Sequence, residues 1–137
     1  MAALTKDRNT HHKFKQRKIY LDVAATTTIY NGSLVAVNAA GYAVPASDAS
    51  GLIVQGRAEE QVVNSGSAGD KSIEVSTGVF KLATSGGSAA VQADVGDNVF
   101  VLDDQTVVKT GGTTNTIVAG VMEELADDGD VWVRVNL

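Results

Sequence analysis

The sequence predicts an all-β fold, a small β-barrel with a β-sandwich as the alternative, built from two quasi-repeats and preceded by an extended arm. Three observations point there: short Val-rich apolar runs, turn residues between them, and an internal match that lays the stretch from Gly32 on the stretch from Gly96. Valine loses side-chain freedom in a helix and packs well on a pleated surface, so its runs favour strands. A chain of 137 residues buries roughly 68% of the surface its unfolded form exposes, enough for an ordinary core. With only seven aromatics, Phe14, Tyr20, Tyr30, Tyr42, Phe80, Phe100 and Trp132, that core must come from Val, Ile, Leu and Ala.

Residues 1–16 have no apolar periodicity and read as a flexible basic arm, with residues 17–137 forming a single β domain. Lys18 to Val23 reads as a first strand, and Ala24 to Thr28 lead to the turn pair Asn31-Gly32. Leu34 to Val37 and Tyr42 to Val44 follow, with Ser47 to Gly51 as loop. Leu52 to Val63 reads as one long strand bent at Gly56, and Asn64 to Asp70 as a turn. Alternation resumes at Ile73, Val75, Phe80 and Leu82, stops at Ser85 to Ser88, and returns in Asn98 to Leu102 and Val107-Val108. The end has a period of two, with Val131, Val133, Val135 and Leu137 on one face and Trp132, Arg134 and Asn136 on the other. Ala89 to Val95 and Ala119 to Leu125 are the two places where a helical turn competes.

With Gly32 laid on Gly96, positions 32–60 match 96–124 at nine of 29 places without a gap: Gly32/Gly96, Val35/Val99, Val37/Val101, Val44/Val108, Ile53/Ile117, Val54/Val118, Gly56/Gly120, Glu59/Glu123 and Glu60/Glu124. A four-residue deletion then brings Gly69-Asp70 and Val75 onto Gly129-Asp130 and Val135. The quasi-repeats therefore span about 32–75 and 96–135. Neither half can bury a face alone, so they are expected to pack on each other about a pseudo-twofold axis. Gly56 and Gly120 mark expected bulges at which a long strand bends.

The chemistry-bearing residues form no catalytic constellation. The absence of cysteine excludes disulfides, thiolate metal sites and a cysteine nucleophile. Glu59-Glu60, Asp103-Asp104 and Glu123-Glu124 read as solvated strand ends, since neighbours on a strand point to opposite faces. Asp127 to Asp130 lack the spacing of a calcium loop and read as a hairpin turn. His11 and His12 are adjacent and lie in the arm, which does not pre-organise a metal or triad site. Gly69-Asp70-Lys71-Ser72 has Asp where a phosphate loop needs Gly, and Asn31-Gly32-Ser33 is explained as a turn. The expectation is a protein that is not an enzyme, with no cofactor, no metal and no catalytic residue. No secretory leader and no apolar run of membrane-spanning length is read, so a soluble protein made in the cytoplasm is expected.

Charge is divided along the chain. Residues 1–18 carry Lys6, Arg8, Lys13, Lys15, Arg17 and Lys18 against Asp7, a net of +5, whereas residues 19–137 carry five basic groups and fifteen acids, a net of −10. An acidic body repels phosphates and the arm has one aromatic, Phe14, which weighs against nucleic acid and for docking on a protein surface. The residues expected to make that contact are Lys6, Arg8, Lys13, Phe14, Lys15, Arg17 and Lys18.

The succession Asn31 to Val37, Gly51 to Ala58, Gly78 to Leu82, Gly96 to Leu102 and Ile117 to Val121 resembles the capsid decoration (head cement) proteins of tailed bacteriophages, over roughly residues 17–137. The resemblance implies a β-rich virion protein, often trimeric, that sits on the outer capsid surface against the major capsid protein and reinforces the shell, without a cofactor. The basic extension before Arg17 is not part of the shared pattern. The competing classes are another β-rich virion part, such as a tail or baseplate adaptor, and a carbohydrate-binding module, for which Trp132 is the one exposed ring expected.

Overall fold

The computed structural model describes residues 17–137 together with Thr5 and Lys6. Among them are twelve strands: β1 (Lys18–Asp22), β2 (Thr27–Ile29), β3 (Leu34–Val37), β4 (Ala43–Pro45), β5 (Ile53–Ala58), β6 (Val62–Asn64), β7 (Ser72–Ser76), β8 (Gly78–Leu82), β9 (Asn98–Val101), β10 (Val107–Val108), β11 (Val118–Leu125) and β12 (Val131–Val135). One 3-10 turn, Gln92–Asp94, falls in the first of the two stretches where helix competed. The second is strand β11 instead. The fold is all-β.

Ten of the strands form two five-stranded sheets, β1-β7-β5-β3-β4 and β8-β12-β11-β9-β10. Read by order of appearance within each half, these are the same order, and every pairing inside a sheet is antiparallel. The equivalence thus takes in β1 and β8, one strand ahead of the match seen in the sequence. In each sheet a parallel bridge, Val23 to Ala43 and Ala83 to Thr106, links the end of the first strand to the neighbourhood of the sheet's third strand in chain order, β4 or β10, curling the sheet toward its own edge.

The pairing also moves the gap between the halves. Arg57 and Ala58 pair with Ser76 and Val75, as Val121 and Met122 pair with Arg134 and Val133. The last strand therefore needs a gap of six and not four, and Val75 corresponds to Val133 where the sequence alone aligned it with Val135. A slip of two leaves every side chain on its face, so alternation could not detect the error.

With that register the interiors correspond. Val35, Ala43, Ala58, Ile73 and Val75 match Val99, Val107, Met122, Val131 and Val133, and all ten are 0% exposed. Where the second unit has Val107 and Met122 the first has alanines, and β2 and β6 fill the difference: they pair as a separate ribbon that adds Ile29 and Val62 to the first core. Glu59 to Gln61 interrupt what the sequence read as one long strand, separating β5 from the ribbon strand β6. Asn64, 1% exposed at the end of this ribbon, has its Nδ2 within 3.1 Å of the carbonyls of Val23, Ala24 and Ser67, while its Oδ1 accepts from the Gly66 N–H. The Val23 and Ser67 carbonyls also accept the N–H groups of Gly69 and Asp70, so the Asn64 amide ties together a loop that is already hydrogen-bonded.

The units do not pack symmetrically. Leu34, Ala36, Ala46 and Val54, which project from the first sheet away from its own core, join the core of the second. Strand β3 is consequently buried on both faces, which explains its run of four apolar residues. Their counterparts in the second unit are Asn98, Phe100, Thr110 and Val118, of which Val118 is 44% exposed. Ile53 is 65% exposed although its counterpart Ile117 is 7% exposed. A pseudo-twofold contact would bury equivalent residues from both halves, so the expected twofold packing gives way to a head-to-tail contact.

The bulges fall where glycine predicted them. Val35 pairs with Gly56 and Ala36 with Val54, leaving Gln55 extra, while Val99 pairs with Gly120 and Phe100 with Val118, leaving Ala119 extra. A Cβ on Gly56 would lie 2.2 Å from the Ser76 carbonyl oxygen, and one on Gly120 2.2 Å from that of Arg134. At the carboxyl end, Asn136 turns to φ +51 and donates from Nδ2 to the carbonyls of Val54 and Gln55, at 2.7 and 3.0 Å. That turn ends the alternation, and Leu137, expected on the buried face, is 46% exposed.

Candidate functional site

The predicted contact residues divide at the arm's root. Arg8, Lys13, Phe14 and Lys15 lie outside the described residues, as do His11 and His12, while Lys6 is exposed. Arg17 and Lys18 are fixed by the fold. Thr77, the single residue between the two sheets, is 0% exposed. Its N–H donates to the Arg17 carbonyl at 3.0 Å, and its Oγ1 accepts from the Arg17 N–H at 3.1 Å. The arm's root is thereby clamped at the junction of the units.

Around that clamp the structure gathers cations that are distant in sequence. Arg17, Lys18 and Arg57 line an open cleft of about 480 Å³ with Glu59 and Ser76. Arg57 donates to Oε1 of Glu59 from Nε at 3.2 Å and from Nη2 at 2.7 Å, and its guanidinium carbon lies 4.4 Å from the centre of the Phe80 ring in the other unit. Cation–ring contact and ion pair together hold Arg57 in one orientation. The Ser76 hydroxyl donates to the same carboxylate oxygen, and this bond, with Arg57 adding to it against the cost of burial, lowers the Glu59 pKa below the usual carboxylate value. Lys18 pairs with Glu74 at 3.3 Å.

Glu59 is therefore not the solvated strand end the sequence suggested. Its side chain is 22% exposed, and its repeat counterpart Glu123 pairs with Arg134, the counterpart of Ser76, at 3.1 Å. Glu60, Glu123 and Glu124 are exposed, as expected. Lys81 and Asp128 form the remaining ion pair among the described residues, raising the lysine pKa and lowering that of the carboxylate. Solvent screens such exposed pairs, so they orient side chains more than they hold the fold.

Beside the cleft runs a larger open groove of about 630 Å³, also reached by Arg17, where Ile53, Val118, Val121 and Leu137 lie with Arg134. Cations beside exposed aliphatic groups suit a protein surface bearing carboxylates and apolar side chains. Sequence reasoning missed Arg57 and Arg134. They are two of only five basic residues after position 18, but nothing in their spacing indicates that the fold brings them to Arg17. Among the described residues no group of three or more His, Cys, Asp or Glu is placed to hold a metal, and no helix is long and apolar enough to cross a membrane. Comparison with family models, with curated proteins and with solved structures gave no match.

Proposed function

We propose that this chain is a structural, non-enzymatic virion protein that binds the outer surface of a tailed-phage capsid and stabilises the shell, as a decoration or cement protein. Its partner is the major capsid protein, and several copies, three by the family resemblance, act together there. In this reading each curled sheet is a small barrel supplying the rigid footprint, and the arm supplies the grip. Lys6, Arg8, Lys13 and Lys15, with Arg17 and Lys18 at the root, pair with shell carboxylates while Phe14 seats in an apolar groove.

The observation that carries this reading is the gathering of Arg17, Lys18 and Arg57 at one cleft of a body whose net charge over residues 19–137 is −10. The arm continues from that cleft, and 16 residues at about 3.3 Å each reach roughly 50 Å, enough to span to a neighbouring subunit. Ordering such a segment costs entropy, so its contribution takes the form of tighter, salt-sensitive attachment. The test is deletion of residues 2–16, with binding to bare capsids measured at low and high salt. The truncated protein is expected to fold, bind more weakly, and lose most of its salt dependence. Equal affinity and equal salt dependence of the two chains would refute the arm's role, and failure of the full chain to bind any bare capsid would refute the function.

A further inference from the structure

Asn31-Gly32 stands in a turn whose form does not depend on asparagine. The Ser33 N–H donates to the Tyr30 carbonyl at 3.2 Å, and the Gly32 N–H to the Ala58 carbonyl at 2.9 Å. In the second unit Val95-Gly96 makes the same turn: the Asp97 N–H meets the Asp94 carbonyl at 2.9 Å, and the Gly96 N–H meets that of Met122 at 2.8 Å. Gly32 and Gly96 have φ of +87 and +91, and Val95 has φ −57 and ψ 128, the values of a type II turn. Asn31, like Val95, keeps a negative φ, so the shared bonds place it in the same conformation. Valine serves the second unit where the first has asparagine.

The asparagine adds chemistry that valine lacks. Base removes the Gly32 amide proton, the nitrogen attacks Cγ of Asn31, and ammonia leaves as the new C–N bond closes a succinimide. Water then opens that ring at either carbonyl, so that amide plus water becomes carboxylate plus ammonia, with aspartate or isoaspartate as product. Asn31 and Gly32 are exposed, on an open pocket of about 290 Å³ that water and base can enter. The folded turn opposes closure in two ways. Closure eclipses the Gly32 nitrogen with Cβ of Asn31, which requires ψ of about −120°, roughly 110° away from the turn's value. The proton that must leave is also held by the Ala58 carbonyl.

Isoaspartate carries the chain through the side-chain carbon, which adds one backbone atom just ahead of Gly32. Directly beyond it the Ala58 N–H donates to the Ser33 carbonyl at 2.9 Å, and the Leu34 N–H donates to the Asp104 carbonyl of the second unit at 2.8 Å. Ser33 is 5% and Leu34 0% exposed. An added atom there displaces groups that are both buried and hydrogen-bonded.

We propose that Asn31-Gly32 is a deamidation site held shut by the folded turn, converted when the first unit opens, and that the isoaspartate then marks that chain by preventing its return to the native fold. The full chain is incubated in mildly alkaline buffer with and without guanidinium chloride, and conversion at position 31 is read by peptide mass and by isoaspartyl methylation. Conversion is expected to be about tenfold or more slower in the folded chain, because it must wait for local opening. Asn31→Val, which copies the second unit, is expected to keep the wild-type urea midpoint and to abolish conversion of this peptide in denaturant. After refolding, chains carrying isoaspartate are expected to stay unfolded or to melt at a lower urea midpoint. Asn31→Asp, which brings the charge without the added atom, is expected to refold as the wild type does. Folded and denatured chains that convert within about threefold of each other would overturn the proposal. So would a denatured chain that leaves Asn31 intact, or isoaspartyl chains that regain the wild-type midpoint.

Discussion

Gly56 and Gly120 do the same work in the two units. Each sits where an extra residue enters its strand, and each lets the neighbouring strand pass so close that a Cβ would lie 2.2 Å from a backbone oxygen. Because the obstructing atom is backbone, the sheet itself must move. Gly56→Ala and Gly120→Ala are each expected to destabilise the protein by about 2–3 kcal/mol, seen as a lower urea midpoint at constant slope. Equivalent losses at the two sites are the expected outcome, and a neutral substitution at either would mean that its strand crossing is looser than described. The pairing of these glycines was visible in the sequence because they stand in a fixed frame with Val35 and Val99. The different surroundings of Ile53 and Ile117 were not, since exposure depends on what the other unit covers.

At the scale of elements, loops join the two units as well as strands. The Asp48 carboxylate, in the loop after β4, accepts the N–H groups of Thr114 at 2.9 Å and Asn115 at 2.8 Å, while the Asn115 amide donates to the Asp48 carbonyl at 2.8 Å. The backbone bonds from Thr114 and then Asn115 lower the Asp48 pKa below its ordinary value of 3.8. A depressed folded-state pKa contributes stability that is present above the unfolded value and lost as pH falls through the folded one. Asp48→Asn is therefore expected to melt below the wild type at neutral pH, with the difference shrinking as pH drops below about 4. Thermal melts across pH 2–7 check it, and a difference independent of pH would assign the effect to packing. The sequence read this loop as turn chemistry only, because its partner lies 66 residues away.

The whole molecule joins two units through one core, since Leu34, Ala36, Ala46 and Val54 of the first belong to the cluster that fills the second. Neither unit keeps that cluster intact if the other unfolds. A single calorimetric transition is expected, with calorimetric and van't Hoff enthalpies equal. Two separable transitions would show that the cluster contributes less than its burial indicates. What the sequence by itself determined is the all-β class, the tandem repeat, the glycine bulges and the division of charge between residues 1–18 and 19–137. Those follow from residue type, turn chemistry and a period of two, all local properties of the chain. Only the tertiary structure decided the longer gap between the repeats, the head-to-tail packing, the β2 and β6 ribbon beneath alanines, and the meeting of Arg17 with Arg57 and Arg134. A two-residue slip preserves every face, and like units can pack in more than one way with the same alternation. Which surface is covered, and which is left exposed, is settled by volume and contact between distant segments.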